Sequence, residues 1–262
     1  MKPGSITVEP AKRREIETRL ATIEGSHGVR ILLAVESGSR AWGFPSADSD
    51  YDVRFIFARS KESYLSFRRP REVLELPISE LLDISGWDLR KAIELIMRSN
   101  ATVGEWLTSP IIYQRDEPRC ALISDFVRGQ YSPRHYGRHY FHFAQKQWSA
   151  AAGKSTVTDK AYCYMMRTLL AFRWTVEHQA LAPMAVDDLL AGVGLPYDVG
   201  RAFTEVRLRK MTGTELTNAE RVPILDGWIL NTLETAPSQC QGLFAGRPEA
   251  AAADRLFMQL IE

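Results

Sequence analysis

The chain is poor in cysteine. Cys120, Cys163 and Cys240 are odd in number, far apart and in no Cys-x-x-Cys pair, which argues against a disulfide framework and a zinc knuckle and predicts buried, reduced thiols. A His-Glu-x-x-His arrangement is also lacking, so His135, His139 and His142, though spaced to share a helix face, make a weak zinc candidate. No uncharged apolar run approaches the roughly 20 residues that span a bilayer. Residues 1–20 are polar where a secretory signal needs an apolar core, so the expected compartment is the cytoplasm, with no membrane partner. Net charge is nearly absent as well, with 33 Lys and Arg against 32 Asp and Glu. Any affinity for an acidic partner must therefore come from a local cluster.

What is present is an ordinary globular composition, 45% hydrophobic and 25% charged over 262 residues, a length suited to two domains. Ile16, Leu20 and Ile23 recur at helical spacing in a first amphipathic helix, stopped by Gly25 and Gly28. Val29 to Val35 and Val53 to Phe57 read as buried strands and neighbours, with Val73 to Leu76 and Leu81 to Ile84 as further strands. Asp88 stands where a helix cap belongs, and Asn100 reads as the stop of the helix that follows it. Beyond Pro118 the periodicity is helical, over Pro133 to Ala152, Asp159 to Gln179, Val186 to Leu190, Val199 to Met211 and Pro223 to Leu233. The expected organisation is a strand-bearing domain over residues 1–116 and a helical domain over 117–262.

One segment carries chemistry. Val35-Glu36-Ser37-Gly38-Ser39 ends an apolar strand, a polar stretch follows, and Asp50-Tyr51-Asp52-Val53 opens the next one. Side chains on a strand alternate with period two, so Asp50 and Asp52 share a face and can share a cation. Gly38 allows a close approach of backbone to a ligand, and Ser39 can hold phosphate oxygens through its amide and hydroxyl. A calcium loop beginning at Asp48 fails, because Val53 and Arg59 stand where it needs Gly and Glu. A haloacid-dehalogenase-like phosphohydrolase has an Asp-x-Asp-x-Val opening, but its first Asp ends an apolar strand and Asp50 does not. The nucleophile-elbow pattern Gly-x-Ser-x-Gly is absent. A structural Asp-rich turn remains the bland alternative.

The complete pattern, strand, Gly-Ser, ten residues from Arg40 to Ser49, then Asp-x-Asp on a strand, resembles the nucleotidyltransferase superfamily of the DNA-polymerase-β type. More narrowly it resembles the predicted bacterial nucleotidyltransferases of the YcgL and RNA-ligase-associated-protein type. Gly38-Ser-Arg-Ala-Trp-Gly43, Asp83-Ile-Ser-Gly-Trp-Asp88, Ser99-Asn100, Glu105-Trp-Leu107, the Lys160 to Trp174 stretch, and Lys210 with Glu215 extend the likeness. It implies an α+β fold, a mixed-sheet catalytic domain followed by a helical one that covers nucleotide and acceptor. It also implies transfer of NMP from an Mg2+- or Mn2+-bound NTP to an acceptor hydroxyl, with release of pyrophosphate. Asp50 and Asp52 match the family's metal pair. Asp83, rather than Glu75 or Asp88, is expected as the third carboxylate, as metal ligand or base. Gly38, Ser39 and Arg40, with Lys160 and Arg167, are expected at the nucleotide. A non-catalytic nucleotide or RNA binder is the alternative from another class.

Between Asp125 and Asp159 there is no acidic residue, while Arg128, Arg134, Arg138, Lys146 and Lys154 accumulate. Arg134, Arg138, His142 and Lys146 form a four-spaced helical stripe, interleaved with Tyr131, Tyr136, Tyr140, Phe143 and Trp148. Such a mixture can bind phosphates by charge and bases by stacking; together with the association with RNA ligases that the resemblance implies, it tilts the expected acceptor toward an RNA end, with protein and small-molecule hydroxyls open. A solvated face over aromatic core positions explains it equally well.

Overall fold

The computed structural model describes residues 8–77, 81–213 and 218–261; Glu215 lies outside them. Helix α1 (Pro10–His27) buries Ile16, Leu20 and Ile23. It runs through Gly25 and closes at Gly28, whose left-handed φ of 60° lets its N–H return to the Glu24 carbonyl. Strand β1 (Val29–Ser37) is followed by the short α2 (Gly38–Trp42), and β2 (Tyr51–Arg59) returns antiparallel to β1. After α3 (Lys61–Leu65) and β3 (Val73–Glu75), β4 (Leu82–Asp88) lies parallel to β2. Helices α4 (Leu89–Met97) and α5 (Ala101–Leu107), strand β5 (Ile112–Arg115) and helix α6 (Glu117–Gly129) follow.

The sheet order is β3-β4-β2-β1-β5, with β2 and β4 the parallel pair in an otherwise antiparallel arrangement. Central β1 is buried over Ile31–Val35, which is why its sequence reads as an apolar run rather than an alternation. Ile16, Leu20 and Ile23 of α1 share one core cluster with Val53, Phe55, Phe57 and Ile84. Asp88 caps α4 by accepting the Arg90 N–H at 2.9 Å. Asn100 does not stop α4. The chain turns at Ser99, φ 55°, and Asn100 caps α5 by accepting the Thr102 N–H at 2.9 Å.

The helical part contains α7 (Pro133–Ala151), β6 (Thr156–Thr158), α8 (Asp159–His178), α9 (Val186–Gly192), α10 (Tyr197–Thr212), β7 (Asn218–Glu220) and α11 (Pro223–Gly242). Helix α8 is central, with α7, α9, α10 and α11 packed around it. Its Tyr162, Cys163, Met166, Leu169, Leu170 and Phe172 are all fully buried, a wide apolar face matched to a helix with four packed neighbours. The last helix is α12 (Ala250–Ile261).

The chain divides into two compact units: Met1–Ala41, Asp50–Gln130 and Arg247–Glu262 form one, and Trp42–Ser49 with Tyr131–Gly246 the other. The class is mixed α+β, but the division differs from the expected cut at 116/117. Helix α6 belongs to the sheet unit because it buries Cys120, Ile123, Phe126 and Val127 and contacts β1. Helix α12 returns to the same unit against α4, α6 and β2. The eight residues after Ala41 fold with the helices instead.

All three cysteines are free and buried. Burial pushes the Cys120 thiol up to about 11 and that of Cys163 up to about 12, and raises that of Cys240. Thiolate is the reactive form. A disulfide reagent at pH 8 should therefore titrate almost no thiol in the native protein and all three in denaturant; fast native reaction of any one would contradict this burial. Among the described residues no helix is long and apolar enough to cross a membrane.

Candidate active site

The turn from β1 into α2 and the opening of β2 are held together by register: Ser37 lies opposite Asp52 and Glu36 opposite Val53. Gly38 takes φ 60°, and a Cβ built on it would fall 1.9 Å from Asp52 Oδ2. What crowds Gly38 in the structure is the Asp52 carboxylate, not the ligand expected there from the sequence. Ser39 is buried and Arg40 half-buried on α2. The Arg40 guanidinium lies 3.8 Å above the Tyr51 ring, and its Nε donates to the Asp50 carbonyl at 3.3 Å.

Asp50 is exposed at the entrance to β2. It does not end a strand, which is the position the phosphohydrolase reading needs. On the parallel neighbour, Asp83 of β4 lies directly opposite Asp52. Arg54 stands between them, donating to Asp52 Oδ1 at 3.0 Å and to Asp83 Oδ2 at 2.7 Å. The other two candidates for a third carboxylate lie elsewhere. Glu75 is exposed on β3 opposite Ser85. Asp88 caps α4 and accepts from the Tyr64 hydroxyl at 3.1 Å.

Beneath Asp52 lies Glu36, fully buried. Its Oε1 accepts the Asp52 N–H at 2.9 Å and its Oε2 accepts the Tyr113 hydroxyl at 2.5 Å. Burial pushes the Glu36 carboxyl up to about 7, against the opposing pull of those two hydrogen bonds. Glu36, Arg54 and Tyr113 have no role in the sequence reading. Asp50 precedes the first residue of β2, so strand alternation does not set its face; within the strand it places Arg54 on the face of Asp52. A carboxylate at the end of the apolar run Ile31–Val35 is the signal for Glu36.

Among the described residues no three His, Cys, Asp or Glu side chains are gathered as a ready metal-ligating group. Asp52 and Asp83 share the Arg54 cation, with Asp50 at the strand's entrance. The donors that the register assembles are carboxylate oxygens, with neither thiolate nor imidazole, a set that suits Mg2+ or Mn2+ rather than zinc.

In the helical unit Lys160 Nζ lies 5.7 Å above the Tyr164 ring. Arg167 is only 3% exposed. It donates to the Met184 carbonyl at 3.2 Å and lies 4.7 Å above the Trp42 ring, so its guanidinium anchors Trp42 where a nucleotide contact was expected. The basic stripe is also thinner than its spacing suggests. Arg134 donates to the Leu243 and Gln241 carbonyls, and Tyr136 and Tyr140 are core residues. Arg138, His142, Phe143 and Lys146 remain exposed.

Residues 13–259 match the RNA repair pathway DNA polymerase beta family. The YcgL protein of Bacillus subtilis, itself described as uncharacterized, is 35% identical over 251 residues, which are 95% of this chain and 96% of that one. A nucleotidyltransferase-like protein of known structure from Exiguobacterium sibiricum aligns over 94% of this chain and 79% of its own, at 10% identity and a TM-score of 0.30. With a match running across both units, the Gly-Ser turn and the Asp-x-Asp strand included, the chain belongs to the RNA repair pathway DNA polymerase beta family.

Proposed function

We propose that this protein transfers a nucleoside monophosphate from a magnesium- or manganese-bound NTP to an acceptor hydroxyl, with an RNA end as the favoured acceptor. The observation that carries the reading is the parallel register that sets Asp83 beside Asp52, whose carboxylate lies against Gly38 where β1 turns into α2. Asp50 and Asp52, with Asp83, would hold the metal, which when bound stabilises charge on the entering and leaving oxygens. Ser39 binds triphosphate oxygens by amide and hydroxyl, and Arg40 adds positive charge there. The acceptor oxygen forms its bond to the α-phosphorus as the bond to the bridging oxygen breaks. Pyrophosphate departs, and Asp83 takes the hydroxyl proton. Arg54 offsets the repulsion between Asp52 and Asp83.

Support for an RNA acceptor comes from the exposed Arg138, His142, Phe143 and Lys146 on α7 and from the family's association with RNA repair. The test is to incubate the protein with each of four α-labelled NTPs, magnesium and total RNA. Label should enter RNA at its ends, with one nucleotide preferred. Label in protein or a small alcohol, with none in RNA, would sink the acceptor assignment. Binding of NTP with no product in any fraction would favour a non-catalytic binder.

A further inference from the structure

The segment Trp42–Ser49 links α2 to Asp50 and folds with the helical unit. At its end sits Lys210 of α10, 1% exposed. Its Nζ donates to Ser46 Oγ and to Ser49 Oγ, both at 2.8 Å. The two serines are themselves buried and joined, Ser46 N–H to Ser49 Oγ at 3.0 Å and Ser49 N–H to the Ser46 carbonyl at 3.2 Å. The ammonium therefore lies at the focus of a closed four-residue turn. At the other end, Trp42 is held by Arg167 at 4.7 Å and by an edge contact with Tyr164 at 4.8 Å. Arg207 donates to the Gly43 carbonyl at 3.3 Å and pairs with Asp187 at 2.8 Å.

A buried ammonium is a costly way to stabilise a fold, since an apolar side chain of similar volume often does as well. What the cation contributes is direction: its donors fix two hydroxyl oxygens, and through them the path of the turn. That path ends at Ser49, and the next residue is Asp50. The Lys210 ammonium is buried and committed to the two serine hydroxyls, so it acts through the chain it holds.

We propose that Lys210, with Ser46 and Ser49 as its acceptors, is a positioning residue for the Asp50–Asp52 pair, fixing the turn from which those carboxylates emerge. The consequence for transfer rests on the function proposed above; the latch itself does not. Lys210→Met keeps the length of the stem and removes the donors, while Ser49→Ala leaves the lysine in place and removes one acceptor, covering the case in which the first variant fails to fold. Hydrogen exchange of peptides spanning residues 42–53 should accelerate by ~10-fold or more in either variant, as expected when a local cooperative unit loses its anchor. Exchange in β1 and in α8 should stay unchanged. In transfer assays kcat should fall ~10- to 100-fold with the KM for NTP within about twofold, because geometry rather than binding is lost. Unchanged exchange across 42–53 in a folded Lys210→Met or Ser49→Ala protein overturns the latch. A kcat like wild type despite faster exchange overturns the positioning role. A wild-type protein with no transfer activity removes the function proposed above, and the exchange result still decides the latch.

Discussion

Gly38→Ala should cost this protein stability and nearly all of the transfer activity proposed for it. The new Cβ would sit 1.9 Å from Asp52 Oδ2 and 2.8 Å from its Cγ at a backbone φ of 60°. Overlap of this kind costs about 1–3 kcal/mol, and a side chain forced into the left-handed region adds about 1–2 kcal/mol. The melting temperature should fall by several degrees, at about 2–4 °C per kcal/mol for a chain of this size. The larger effect is on geometry. Asp52 must swing out of the way, and a displacement of about 1 Å in a reacting site can cost ~100-fold in rate. Gly28→Ala is the control: Gly28 has the same φ of 60° but nothing within 4 Å of its added Cβ. It should lose about 1–2 kcal/mol, the cost of an L side chain in the left-handed region, and keep full activity. Equal activity loss in both variants would mean that backbone strain, not contact with Asp52, explains Gly38.

Glu36→Gln should remove a large component of the pH dependence of stability. The buried Glu36 carboxyl holds its proton up to about 7, well above its ordinary value of 4.5. Between those values the folded chain binds a proton that the unfolded chain has released, so stability falls as pH rises through this window and stays lower above it. The size is on the order of 3 kcal/mol, from about 1.4 kcal/mol per pH unit of displacement. Glutamine keeps an oxygen for the Asp52 N–H and a polar partner for Tyr113, and it cannot ionise. In chelator-treated protein, the wild type should melt several degrees lower at pH 8 than at pH 5 relative to the variant, whose curve lacks this component. Parallel pH profiles for the two proteins would show that Glu36 is not the group responsible.

Much of the sheet unit is legible in the sequence because its signals are local. The apolar run of β1, the strand that opens beside Asp50 and carries Asp52, and the Asp88 cap each follow from a few consecutive residues. Long-range placement is not written in that way. Helix α12 has an ordinary amphipathic sequence, and nothing within it says that it packs on α4, α6 and β2. The Trp42–Ser49 stretch reads as a polar turn, yet its serines close around a lysine more than 160 positions away. Asn100 was ambiguous for a chemical reason, since asparagine suits both a helix end and a helix cap, and Ser99 took the left-handed position instead. The stripe on α7 misleads because spacing gives the face but not what covers it: Arg134 meets carbonyls of residues 241 and 243. Arg54 and Glu36 needed the pairing of β2 with β4 and β1 before their partners were identifiable.

The central claim is that Asp50 and Asp52 carry metal-dependent nucleotide transfer. Asp50→Asn with Asp52→Asn removes the charge that binds the metal while keeping size and most hydrogen-bonding capacity. Pyrophosphate release from labelled NTP, measured with magnesium and the accepted substrate, should fall by a factor of ~1000 or more, the scale of several kcal/mol of lost transition-state stabilisation. The melting curve of the double variant should remain cooperative. Full pyrophosphate release by a folded double variant would contradict the account.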